Sequence, residues 1–206
     1  MRMPGLRRQA CTLSSRRMKS NNKMPNPTRL SKFISLVLRH RANDFDLHLD
    51  SQGFVEFSDL KRLVDEKSTD VYSDEDWRKV LNGELDGKKR FEVKDGRIRA
   101  LYGHSKVERV TYEPVIPPDV LYHGTTPQAE KAIRREGLRS MKRQYVHLSE
   151  NTERALNVGE RRTDDVRLLI VRALEAHKAG IEFYSPEPEH YLAQNIPPEF
   201  IDFPKE

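Results

Sequence analysis

The sequence predicts an α+β protein of two lobes joined by a proline-bearing linker. Three observations carry this reading: an amphipathic helix at the start of the patterned region, an Asp-Gly hairpin near residue 95, and a change of grammar after residue 119. In the first helix, Leu30, Phe33, Ile34, Val37 and Leu38 recur at i, i+3, i+4, i+7 and i+8, one face of a 3.6-residue period. Asn26 and Pro27 suit its N-cap and first turn.

The next elements follow in order. Leu47–Phe57 alternates like short strands around a turn at Ser51–Gly53. "SDLKRLVDE" reads as a helix capped by Ser58, and "SDEDWRKVLNG" as another, with Ser73 as cap, Trp77, Val80 and Leu81 inward and Gly83 as terminator. In "KRFEVKDGRIRALYG", Phe91 and Val93 alternate with polar residues, Ile98 continues the apolar side, and Asp95-Gly96 is the chemistry of a two-residue hairpin turn. Helix, strand, two helices and a hairpin make a winged helix over residues 26–103, a module that often lies on nucleic acid.

Pro114, Pro117 and Pro118 and the lack of any sustained period place a linker at 104–119. Residues 120–206 then read as a second α+β lobe with short mixed β-strands. "VLYHGT" and "YVHLSE" are short buried strands ending in polar residues. "TPQAEKAIRREG" is a helix with Ala129, Ala132 and Ile133 inward, stopping at Gly137, and "ENTERALNVG" is another. "VRLLIVRAL" is a strongly apolar strand, followed by "EAHKAG", "IEFYS" and "HYLAQNIPPEFIDF". No internal repeat occurs.

A chain of 206 residues suffices for one large domain or two small ones. No apolar run approaches the roughly 20 residues that cross a bilayer, so no membrane partner is expected. Cys11 is the single cysteine, which excludes a disulfide framework and a cysteine-based metal site and fits a reducing, cytoplasmic setting. The net charge of +5 favours an anionic partner, and no acidic residue precedes Asp44. Residues 1–25 read as a basic, disordered tail. A functional tail, a transit peptide and a start codon placed too early all fit that composition.

Two constellations bear chemistry. The first is basic: Arg39-His40 at the end of the first helix, Lys88-Lys89-Arg90 at the hairpin and Lys142-Arg143 before "YVHLS". Cations at a helix C-terminus suit the macrodipole, so each group alone could be a solvated face. Guanidinium forks also grip phosphate bidentately, and several converging ones need an anion among them. The second is Tyr122-His123-Gly124-Thr125 with Val146-His147-Leu148-Ser149. A histidine between strand formers is commonly a satisfied core residue, but two such strand ends favour a ligand. Gly124 would allow close ligand approach, and Thr125 offers a cap or a hydroxyl. No dinucleotide fingerprint, P-loop, HExxH or GxSxG is present, so no metal is expected.

The blocks "LSKFISLVLRH", "KKRFEV", "RIRALYGHS", "YHGT", "RQYVHLS" and "YLAQNIPPEFI" occur in the order found in the RNA 2′-phosphotransferases, which the chain resembles over residues 29–203. The resemblance implies a winged-helix RNA lobe and a C-terminal ADP-ribosyltransferase-like lobe that binds NAD+ as a consumed co-substrate. It implies a monomer acting on RNA with an internal 2′-phosphate, such as spliced tRNA, in two steps. The 2′-phosphate displaces nicotinamide to give an ADP-ribosylated phosphate. The ribose 2″-hydroxyl then attacks phosphorus, leaving 2′-OH RNA and ADP-ribose 1″,2″-cyclic phosphate. The family's Arg-His-Arg-Arg set falls on Arg39, His40, Arg90 and Arg143, and its NAD-side motif on His123 and His147, with Gly124, Thr125 and Ser149 beside them. One departure stands out: Glu189-His190 replace a usually aliphatic stretch, one residue from where protein-modifying ADP-ribosyltransferases keep a glutamate. An enzyme that stops at ADP-ribosylation, and a winged-helix binder without NAD+, are the competing expectations.

Overall fold

The computed structural model describes residues 25–204. The basic segment read at residues 1–25 therefore lies, Pro25 apart, outside the described residues. The fold is α+β, as the sequence predicts. Its first part comprises α1 (Pro27–Leu36), a π-helical turn at Val37–Arg41, a 3-10 turn at Ala42–Phe45, β1 (Phe54–Glu56), α2 (Phe57–Lys67), α3 (Asp74–Asn82), β2 (Phe91–Lys94) and β3 (Arg97–Ala100). The second part holds β4 (Pro114–Val115), β5 (Leu121–Thr125), α4 (Pro127–Glu136), β6 (Leu138–Arg139), β7 (Val146–Ser149) and α5 (Thr152–Gly159). It continues with β8 (Arg167–Val171), α6 (Ala173–Lys178), β9 (Phe183–Glu187), β10 (His190–Ala193), β11 (Asn195–Ile196), a 3-10 turn at Pro198–Phe200 and β12 (Ile201–Asp202).

Strands β1, β3 and β2 form a three-stranded antiparallel sheet in that order. Asp95 and Gly96 take φ of 50° and 74°, the left-handed pair that a two-residue turn between Lys94 and Arg97 requires. Ser73 and Asp76 form the reciprocal box that caps α3, and Gly83 ends it at φ 74°. Leu30, Ile34, Leu38, Leu60, Phe91 and Ile98 are fully buried in one cluster between the helices and this sheet.

Three local expectations need correction. Residues 47–50 form no strand. Asp50 instead accepts backbone hydrogen bonds from Gln52 and Phe54, turning the chain into β1. Ser58 lies inside α2, whose N-cap is Glu56, because β1 runs straight into the helix. Val93 stays half-exposed, since nothing packs over the outer end of the hairpin.

The second sheet runs β12-β8-β5-β7-β10-β9-β4, with Leu121, Leu148, Leu169, Val171 and Phe183 in its core. The sequence reading expects mixed strand directions, yet every pairing among the described residues is antiparallel. Hydrophobic period reports which face is buried and carries no strand direction. "VRLLIVRAL" divides, the strand ending at Val171 and α6 starting at Ala173.

Residues 104–119 lie between the sheets. The Gln144 side chain accepts from Val110 N and donates to the carbonyls of Val107 and Glu108, while Thr111 N donates to Ser51 O. Val110 is buried, and β4 adds an edge strand to the second sheet.

Candidate functional site

A cleft of about 420 Å³ lies where the end of the first helix meets the polar ends of β5 and β7. Arg39, His40, His123, Gly124, Arg143, His147 and Ser149 all line it. Seven of the nine residues read from the sequence thus meet at one place. Arg90 and Thr125 do not line it.

The helix does not simply end at Arg39-His40-Arg41. Its last turn widens into a π-helix over Val37–Arg41, a local strain often kept at functional sites. Arg41 remains at the surface, paired with Asp44 and stacked over Phe45. Arg39 turns inward over the Tyr102 ring, 4.9 Å from its centroid, and packs on Gly103, whose φ of +90° suits glycine. The Nε and Nη2 of Arg39 are buried without a hydrogen-bond partner. Burial pushes this guanidinium below its ordinary value, and repulsion from Arg90 and Arg143 adds to the push, while Tyr102 partly opposes it.

His40 Nδ1 lies 2.8 Å from Ser105 Oγ, and Ser105 N donates to Arg39 O. Burial, then Arg39, Arg143 and Lys106, lower its pKa, which favours the neutral ring. Arg143 sits one residue before Gln144, the clip described above, so the clip brings it to the cleft. Burial and its neighbours Arg162 and Arg161 lower its pKa. Neither Arg39 nor Arg143 has a carboxylate partner among the described residues. Two inward guanidiniums without a carboxylate partner have the chemistry to grip an anion.

Arg90 faces an adjoining groove that also reaches His40. Its guanidinium grips Asp86 through two bonds of 2.8 and 2.5 Å. That hydrogen bonding raises the Arg90 pKa and lowers that of Asp86. Thr125 is buried at the end of β5 opposite Arg167, and the cap of α4 is Thr126, whose hydroxyl accepts from Ala129 N. A Cβ on Gly124 would stand 2.0 Å from the carbonyl oxygen of Ala155. The glycine therefore admits the backbone of α5 against β5; the close approach made there is by protein.

On the opposite wall, His123 Nδ1 donates to the His147 carbonyl at 2.9 Å. Since a carbonyl only accepts, the second ring nitrogen of a neutral His123 keeps its lone pair. Burial lowers the pKa of His123, favouring that neutral form. His147 lies stacked on His190, with Nδ1 3.0 Å from His190 Nε2. Tyr102 meets His190 edge-on at 4.5 Å, and Arg154 pairs with Glu187. Glu189, by contrast, is exposed in the β9–β10 turn at φ 59°. It does not line the cleft.

Sequence reasoning missed Tyr102, Ser105, Arg154 and Glu187 as members of this neighbourhood. Tyr102 and Ser105 are the two ends of the "YGHS" run and could have been found there; Arg154 and Glu187 carried no signal. No group of three His, Cys, Asp or Glu that could hold a metal ion occurs among the described residues. No helix there is long and apolar enough to cross a membrane.

Residues 25–195 match the model of the family described as RNA 2′-phosphotransferase, Tpt1/KptA family. The chain belongs to that family. It is 42% identical over 182 residues to a protein of Acetivibrio thermocellus named "Probable RNA 2′-phosphotransferase", covering 85% of this chain and 96% of that protein. Like-named proteins are 38% identical in Bacillus thuringiensis (87% of this chain, 97% of theirs) and 35% identical in Thermococcus kodakarensis (86% and 97%).

Proposed function

We propose that the protein removes an internal 2′-phosphate from RNA, such as spliced tRNA, with NAD+ as consumed co-substrate. It would do so as a cytoplasmic monomer. Family membership supports the reaction class. The observation that carries the chemistry is Arg39: a buried guanidinium with two unpartnered donors, facing Arg143 and His40 in one cleft. An unpaired buried cation is costly, and a bound anion would offset that cost. In this reading the first sheet and its helices act as a winged-helix RNA lobe, and the second as an ADP-ribosyltransferase-like lobe.

The residues fit a dinucleotide beside that anion. A pyrophosphate needs cations and ribose needs hydrogen-bond acceptors; the cleft has Arg143 on one side and the free ring nitrogen of His123 on the other. Gly124, Thr125, His147 and Ser149 build that NAD+-side wall, Gly124 and Thr125 by shaping β5 against its neighbours. NAD+ supplies an electrophilic ribose carbon and the adjacent hydroxyl; the products are 2′-OH RNA, ADP-ribose 1″,2″-cyclic phosphate and nicotinamide.

Arg39 and Arg143 would hold the 2′-phosphate oriented, which is most of what its attack requires because the phosphate is its own nucleophile. The same guanidiniums stabilise charge gathering on phosphoryl oxygens when the phosphorus is transferred. His40, its neutral form favoured and its Nδ1 held at Ser105, would carry a proton between the attacking hydroxyl and the departing 2′ oxygen. Arg90 joins the clamp if RNA phosphate draws it from Asp86. The test is incubation with an internally 2′-phosphorylated RNA, with and without NAD+. Phosphate loss must require NAD+ and release one nicotinamide per phosphate; loss that proceeds equally without NAD+ overturns the proposal.

A further inference from the structure

His190 replaces the aliphatic residue that the resemblance leads one to expect, yet it is buried and belongs to a chain of polar contacts behind the cleft wall. Its Nδ1 lies 3.3 Å from the Glu187 carboxylate, long and bent for a hydrogen bond, and no other acceptor among the described residues reaches that nitrogen. Arg154 holds Glu187 from the other side. Burial alone would raise the Glu187 carboxyl, but His190 and Arg154 together hold it below its ordinary value, so it is an anion.

An anion opposite Nδ1 selects the tautomer of a neutral His190 that carries its proton there. Nε2 of His190 is then a lone pair, and the 3.0 Å contact can be made only if His147 Nδ1 donates. His147 is thereby left with an unprotonated Nε2. That nitrogen has no protein partner among the described residues, and His147 lines the cleft.

We propose that Glu187 and His190 form a positioning relay that fixes His147 with its Nε2 lone pair turned to the cleft. There it serves as a hydrogen-bond acceptor for a hydroxyl of the NAD+ ribose. The functional half rests on the proposed reaction; the tautomer does not. With His123 fixed by the His147 carbonyl, the wall then offers two acceptors on adjacent strands, which matches a vicinal diol. The groups that face the His147–His190 pair from other elements are Glu187, Arg39, Arg143, Arg154, His123 and Tyr102, with Glu187 the one carboxylate named among them. Burial first, then Arg143, lowers the His147 pKa far below its usual value, so the ring stays neutral in this company. Protonation of His190 would reverse the relay. His190 would donate to His147 Nδ1, and His147 would show the cleft an N–H in place of the lone pair.

The test needs no variant at first. Long-range 1H–15N NMR of the whole protein at neutral pH should show His147 with Nδ1 protonated and Nε2 bare. An Nε2–H tautomer would overturn the relay outright. His190→Val restores the aliphatic character that the resemblance leads one to expect and removes no atom of the Arg154–Glu187 pair. It should raise KM for NAD+ about tenfold, the equivalent of about 1.4 kcal/mol, with KM for RNA unchanged. His190→Asn, which can still accept from His147 Nδ1, should recover most of that loss. An unchanged KM for NAD+ in His190→Val, or equal losses in the Val and Asn variants, would overturn the assigned role. A wild-type protein inert toward 2′-phosphorylated RNA but with the stated tautomer would fault the proposed reaction and leave the relay standing.

Discussion

Arg39→Met separates a catalytic cation from a structural one. Methionine keeps the apolar stem that lies over Tyr102 and Gly103 and removes the guanidinium. Two donors of that group, Nε and Nη2, are buried and unpartnered. An unsatisfied buried polar group costs about 1–3 kcal/mol, counted once for the whole guanidinium. Against the relief stands the lost cation–π contact with Tyr102, worth about 0.5–1 kcal/mol at a site of this kind. Relief also comes from removing repulsion with Arg90 and Arg143. The variant should therefore be more stable than the parent by about 1–2 kcal/mol. For a chain of this length that is roughly 2–8 °C in Tm. Activity should move the other way. One preorganised donor set lost from a site that stabilises developing charge costs about 10²–10³ in kcat. Calorimetry and single-turnover removal of 2′-phosphate are the two assays. Inorganic phosphate supplies a control, since it should raise the Tm of the parent more than that of the variant. A variant that loses stability and activity together would refute the argument, because Arg39 would then be holding the fold.

Three further outcomes follow from other parts of the structure. Gly124→Ala should unfold at lower temperature by an amount above the usual 1–3 kcal/mol of overpacking, since its Cβ would lie 2.0 Å from the Ala155 carbonyl oxygen; thermal melts with parental stability would disprove the close packing of α5 on β5. Asp86→Asn frees Arg90 from its pair and should tighten binding of 2′-phosphorylated RNA up to about fivefold at low salt, as an exposed pair is worth at most about 1 kcal/mol. Weaker binding in a filter or fluorescence titration would mean that Asp86 aims the arginine instead. Burial holds the His104 imidazole at about 3, against 6.5 when exposed. A base with a depressed folded pKa contributes stability above the unfolded value, so stability should fall between pH 6.5 and about 3, by up to about 1.4 kcal/mol per pH unit from this group alone. His104→Asn should flatten urea-derived stability over that window, and an unchanged slope would remove His104 as a cause.

Elements set by local chemistry were legible. Asp95-Gly96, Ser73 with Asp76, and the Leu30–Leu38 stripe each encode their geometry within a few residues, and the structure repeats them. What failed was geometry that depends on a partner remote in sequence. Ser58 looks like a cap until β1 is found running directly into α2. Gly124 looks like a ligand-facing glycine until the carbonyl of Ala155 is found in the way. The π-turn at Val37–Arg41 left no trace in the periodicity, because Val37 and Leu38 remain buried whether the turn is α or π. Arg90 shared a motif with the cleft residues, but only coordinates reveal that Asp86, four residues away, competes for it.

The stretch from Leu101 to Tyr112 shows why the site in particular was hard to read. It has no period, and no face of it packs as a unit. It works by single bonds: Ser105 N to Arg39 O, Ser105 Oγ to His40, the Gln144 side chain to Val107 O, Glu108 O and Val110 N, Tyr112 Oη to Leu101 O. Each is a one-to-one pairing that any polar residue of the right length could make, so no pattern marks it in advance. Yet these bonds set the separation between Arg39 and Arg143, which come from opposite sides of the cleft. The energy of the two cores lies in repeating apolar faces, which periodicity reports. The alignment of the cleft residues lies in the few unpatterned residues between those cores, and there periodicity has nothing to report.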